Sequence, residues 1–152
     1  MLWRETYSTA EPERARLPSL HAKYFNGDEF LSSEPFVLIG GFDLRAQAEL
    51  GVWRRLMNSV AFDLKIYTLF LLTGVSQNTK EHLIAMTPRS LGDSTIFSDH
   101  SFEWESLIKP DRPERSFAGF VSQGFLDPLM IGVPTEEAWD RFQEHLSRFA
   151  GN

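Results

Sequence analysis

Apolar residues recur along this chain in two rhythms, one continuous and one spaced by three or four positions. Between Pro35 and Val75 an apolar run, Phe36 to Ile39, gives way to Gly40-Gly41-Phe42-Asp43 and then to Ala46, Leu50, Trp53, Met57 and Val60. Spacing of that kind puts side chains on one face of a helix, whereas a short continuous run suits a strand covered on both faces. A second run, Lys65 to Thr73, is rich in β-forming residues and has the character of a central buried strand. The block predicts strand, helix over about 43–60, strand, with Asp43 as the N-cap that accepts backbone N–H bonds. Arg45, Gln47, Arg54 and Arg55 fall on the solvent side of that helix. Gly51 lies inside it, where glycine costs about 1 kcal/mol relative to alanine, and is read as a point of close approach by a neighbour.

Farther along, the polar stretch Ser76 to Lys80 precedes Glu81 to Thr87, which reads as a returning antiparallel strand stopped by Pro88, with a helix from about Asn78 as the rival. Residues 99–105 alternate, Phe102 and Trp104 on one side and Ser101, Glu103 and Glu105 on the other, the pattern of a half-buried strand. A charged loop, Ile108 to Ser116, leads to β-like pieces at Phe117 to Ser122 and Leu129 to Val133. The final element, over about 135–150, is a helix with Thr135 as N-cap, Glu136 and Glu137 at its positive end, and Gly151 as its stop. Trp139, Phe142, Leu146 and Phe149 form its apolar stripe, and Glu137/Arg141 and Glu144/Arg148 its i,i+4 pairs.

Ahead of these elements, residues 1–31 show little periodicity. Pro12 and Pro18 interrupt any helix, and Asn26-Gly27 signals a turn, so the segment is expected to be a loosely structured arm over the core. The order predicts an α+β fold: a mixed or mostly antiparallel sheet with two amphipathic helices, about 43–60 and 135–150, packed on one face. No internal repeat is visible. At 152 residues, 42% hydrophobic and 24% charged, residues 1–152 are expected to form a single compact domain able to bury a sizeable core.

Charge narrows the partners. A formal net charge of −6 and a pI near 5.2 set the average field against phosphate backbones and anionic lipid, so no nucleic-acid or membrane partner is expected. The basic residues Arg54, Arg55, Arg112 and Arg115 read as solvated. No apolar run approaches the roughly 18 residues of a membrane span, and the N-terminus lacks a signal core, which points to a cytoplasmic protein. With no cysteine, disulfides and thiolate chemistry are excluded.

Candidate chemistry is sparse. Gly40-Gly41 ahead of a helix invites comparison with a phosphate-binding loop, but the spacing of dinucleotide and nucleotide motifs is missing and Asp43 would repel phosphate, so a tight turn and cap is the expectation. His21, His82, His100 and His145 lack the spacing that presets a metal site, and Asp99-His100 beside Ser98 and Ser101 does not make a triad on a strand. No catalytic residue, metal or cofactor is assigned. Asp99, Glu103 and Glu105 are the candidate partner-binding residues, an acidic edge that would recognise a basic protein. Phe117, Phe120 and Phe125, near glycines, are expected in the core, with pocket lining as the alternative.

Two functional classes follow. The first is a non-catalytic acidic protein-binding module, of the inhibitor, immunity or chaperone-like kind, that occludes a partner. The second is a small-molecule-binding domain or hydrolase-like enzyme whose site is dispersed, with Asp99, His82, His100 and the segment Phe117 to Phe125 as candidates.

Overall fold

In the computed structural model the described residues are 13–18, 20, 22–24, 28–30, 32, 34–42, 46–59, 64–71, 81–82, 85, 94–98, 102–108 and 115–150. The elements are β1 (Glu13–Arg16), β2 (Ala22–Tyr24), β3 (Phe36–Gly41), α1 (Gln47–Asn58), β4 (Ile66–Leu71), β5 (Thr95–Ser98), α2 (Phe102–Ile108), β6 (Ser116–Ser122), β7 (Phe125–Ile131) and α3 (Glu136–Ala150). The strands form one seven-stranded mixed sheet in the order β1-β7-β6-β3-β4-β5-β2. Its centre, β3-β4-β5, is parallel, and β6, β7, β1 and β2 each join antiparallel. Parallel neighbours require a crossover, which α1 supplies between β3 and β4.

Both halves of β3 and nearly all of β4 are buried, which is why neither alternates in sequence. On one face Val37, Ile39, Phe70, Ala118, Phe120 and Met130 pack against Leu50, Trp53 and Met57 of α1 and Ala138, Phe142 and Leu146 of α3. The two long helices thus share a face, as their stripes predict. Trp53 joins them, its ring 5.5 Å from Phe142 and 6.1 Å from Trp139. Thr135 Oγ1 accepts the Ala138 N–H at 3.2 Å, and Glu137 pairs with Arg141 at 3.1 Å, so the cap and the first ion pair of α3 form as expected.

The start of α1 differs from expectation. Its first helical residue is Gln47, and Ala46 holds the cap position in a right-handed conformation with no side-chain capping bond. Asp43, the expected N-cap, lies outside the described residues. The glycines belong to β3 rather than to a turn. A Cβ on Gly40 would come within 2.6 Å of both the Leu69 carbonyl oxygen and Phe117 Cζ, and one on Gly41 within 2.5 Å of the Ala46 Cβ. Gly40 leaves room for the Phe117 ring, and Gly41 lets the entry to α1 lie against β3. Gly51, by contrast, has nothing within 4 Å of where its Cβ would stand, so it admits no close neighbour.

The opposite face carries the larger corrections. Residues 102–108 form a helix rather than the strand that the 99–105 alternation predicts. Trp104 and Ile108, four apart, are both buried, and that spacing prevails over the two-residue alternation. Trp104 stacks on Phe117, centroids 5.1 Å apart. Glu81, His82 and Ala85 are helical, so the rival reading of that stretch holds and the strand reading fails. Within 1–31, expected as a loose arm, β1 and β2 supply the two edges of the sheet. Bonds from Tyr24 N to Asp28 O and from Phe30 N to Ala22 O close a hairpin around the Asn26-Gly27 signal, whose turn residues are outside the described set.

β7 begins at Phe125, earlier than the piece predicted from Leu129. Gln123 and Gly124, with φ of 52° and 82°, make a two-residue connection that matches the twist of a hairpin. Pro128 sits inside β7, but pairing on both sides shifts register there, between Gly119 and Val121 on β6 and between Glu13 and Ala15 on β1. A proline without an N–H is accommodated at such irregularities.

These glycine environments give opposite predictions. Gly40→Ala overpacks the β3–β4–β6 contact and is expected to destabilise the fold by about 1–3 kcal/mol. Gly51→Ala, in open helical space, is expected to stabilise it by about 0.5–1 kcal/mol. Urea unfolding of both variants beside the parent checks the pair of signs.

Candidate functional site

Of the predicted acidic edge, Asp99 lies outside the described residues, while Glu103 and Glu105 stand exposed on α2. A strand would have put both carboxylates on one face. On a helix they are about 200° apart around the axis and flank Trp104, with exposed Ser106 between them on the outer side. The acidic feature is therefore a short ridge, anchored by a tryptophan with 0% exposure and by Ile108. The anchor fixes the backbone from which the two carboxylates project, which limits the orientations the ridge can present.

His82 is exposed on the helical stretch after β4, and Asp99, His100 and His21 lie outside the described residues. His145 Nδ1 approaches Asp127 Oδ1 at 4.0 Å, and the same carboxylate meets Arg14 at 3.6 Å, tying α3, β7 and β1 together. Among the described residues no group of three or more His, Asp or Glu side chains is arranged to hold a metal ion, and no helix is long and apolar enough to cross a membrane. Phe117 and Phe120 face opposite sides of β6 and belong to separate halves of the core, while Phe125 lies half-buried beneath Arg14, whose guanidinium carbon is 3.9 Å from the ring centre. They do not line one pocket.

Two arginines read as solvated are not. Arg115 is 7% exposed. Arg54 is half-buried against the sheet, donating from Nη2 to Thr68 Oγ1 at 3.3 Å, and burial lowers its pKa from the usual value. A polar lock that the sequence does not signal joins α1 to β6: Glu49 Oε1 accepts both the Ser116 N–H at 2.8 Å and the Ser116 hydroxyl at 2.7 Å. Ser116 is fully buried, so this pair fastens the helix to the sheet rather than presenting a nucleophile.

Concave surface occurs at the opposite end of the sheet from this lock, where β3 and β4 begin and β6 ends. A cleft of about 570 Å³ runs over Leu17, Leu20, Phe30, Phe36 and Val121, with Ser32, Glu34, Pro35 and residues 122–124 along its rim. A second cleft, about 290 Å³, shares Ser32, Glu34, Pro35 and Phe36 and adds Tyr24, Lys65 and Tyr67. The partition is aromatic. Phe30, Phe36 and Tyr67 meet edge-to-face with centroids 4.8–5.4 Å apart, and Tyr24 adds a fourth ring 5.7 Å from Phe30. Edge-to-face packing is the favoured geometry for such rings and gives the partition a fixed shape.

Glu34, Pro35 and Lys65 carry no functional signal in the sequence because each stands at the edge of an apolar run, where charged and turn residues are ordinary. The only local signal is that a proline between a carboxylate and a buried strand fixes the entry of the chain. Compared with known proteins, the chain matches no family model and no curated sequence.

The Glu49 lock yields a graded test. Glu49→Ala leaves the Ser116 N–H and hydroxyl without their acceptor and is expected to cost about 1–3 kcal/mol in thermal or urea unfolding. Glu49→Gln keeps an acceptor oxygen at the same reach and should cost less than half as much.

Proposed function

We propose that the protein is a non-catalytic acidic binding module that occludes a basic surface on a partner protein through the outer side of α2. The observation that carries this reading is the buried Trp104, which seats a seven-residue helix with Glu103 and Glu105 exposed on its two flanks. With a net charge of −6 behind it, such a ridge speeds encounter with a cationic partner and fixes register on arrival. Occlusion of an inhibited or chaperoned partner needs complementarity and exposed charge but no reactive constellation. The second class, a small-molecule-binding domain or hydrolase-like enzyme with a dispersed site, draws its support from the paired clefts.

Affinity capture with the full chain from its source cell tests the first reading. The expected result is a stoichiometric basic protein partner whose complex weakens as salt rises and whose affinity falls about tenfold or more for Glu103→Lys/Glu105→Lys. A partner held equally by the parent and the double variant, with no dependence on salt, would overturn it.

A further inference from the structure

The paired clefts carry more chemical information than their shape. The smaller one is lined by an acidic residue, Glu34, and a basic residue, Lys65, beside two tyrosines. Among the described residues these two opposite charges are not joined in an ion pair, and both are exposed. The larger cleft has the reverse character, an apolar floor of Leu17, Leu20, Phe30, Phe36 and Val121 with Glu34 at its rim. Glu34 belongs to both, and Lys65 only to the smaller.

We propose that the paired clefts are a binding site for a zwitterionic α-amino acid with a large apolar side chain. In this arrangement the ligand's ammonium group meets Glu34 at the junction, its carboxylate reaches Lys65 across the smaller cleft, and its side chain lies on the apolar floor of the larger. The order of the protein groups matches the order of groups around a Cα atom: a cation site at the shared wall, an anion site to one side, an apolar trough to the other. A simple cation would meet repulsion from Lys65 and a simple anion repulsion from Glu34, so the pair of charges selects a ligand that carries both. Charge-assisted hydrogen bonds to each end are the strong contacts. The trough is built on three core residues, Phe30, Phe36 and Val121, with Leu17 and Leu20 packed against them, so most of it is formed before the ligand arrives. This site is separate from the α2 ridge and does not depend on a protein partner.

Calorimetric and amide-shift titrations of the full chain alone test the proposal, with phenylalanine, tryptophan and leucine as probes and glycyl-phenylalanine as the dipeptide arm. Expected are saturable binding of the free amino acids, with shifts confined to residues near 32–36, 65–67 and 121–124. Blocking either charge, in N-acetyl-phenylalanine or phenylalanine amide, should weaken binding about tenfold, as should Glu34→Gln or Lys65→Gln, both of which alter exposed side chains and leave the core intact. Preference for the dipeptide would move the assignment from a free amino acid to a peptide and overturn the stated ligand. Absence of binding by all four probes at millimolar concentration, or equal binding of N-acetyl-phenylalanine amide, would overturn the site itself.

Discussion

Strand β3 is hydrogen-bonded on both sides and covered on both faces, and the remaining elements are arranged by the need to close those four boundaries. Its backbone pairs in parallel with β4 and antiparallel with β6, which leaves no edge exposed at the centre of the sheet. Its side chains alternate between two separate core clusters, Val37 and Ile39 toward α1 and α3, Phe36 and Leu38 toward α2 and the N-terminal segment. Gly40 completes the constraint. Where a side chain would stand, the Leu69 carbonyl and the Phe117 ring already lie, so β4, β3 and β6 approach more closely at that register than any larger residue would allow.

The legible parts of this fold are those in which one chain segment decides its own environment. The apolar run of β3, the 3–4 spacing of α1 and the capped stripe of α3 each carry their burial pattern in consecutive residues, and each forms where the pattern places it. Where two patterns coexist in one short segment, local sequence does not choose. Phe102 and Trp104 fit a strand, Trp104 and Ile108 fit a helix, and only the Phe117 ring waiting beneath Trp104 settles the matter. The same holds at Gly40-Gly41, whose meaning depends on Leu69, Phe117 and Ala46, residues that the topology, not the sequence, brings near.

The candidate binding surface was the least legible for a related reason. Its walls come from the segment 17–36, from the start of β4 and from the end of β6, and they meet because β3 lies between β4 and β6 in the sheet. No spacing in the chain announces that Glu34 and Lys65 face one depression. The acidic residues on α2, in contrast, were visible as residues but not as geometry: as a strand they form one acidic face, and as a helix they form two flanks of a ridge.

Helix length explains why the clefts lie where they do. The helices on one face have 12 and 15 residues, about 18 and 22 Å long, enough to span a six-residue strand of about 20 Å. On the other face α2 has 7 residues and reaches only about 10 Å, roughly half the strand. It covers the end of β3 near Gly40, through Trp104 on Phe117, while Leu17, Leu20 and Phe30 pack at the beginning of β3 from a segment with no helix among its described residues. Such a segment packs ring edges against the sheet rather than a continuous row of side chains, and concave surface remains between them.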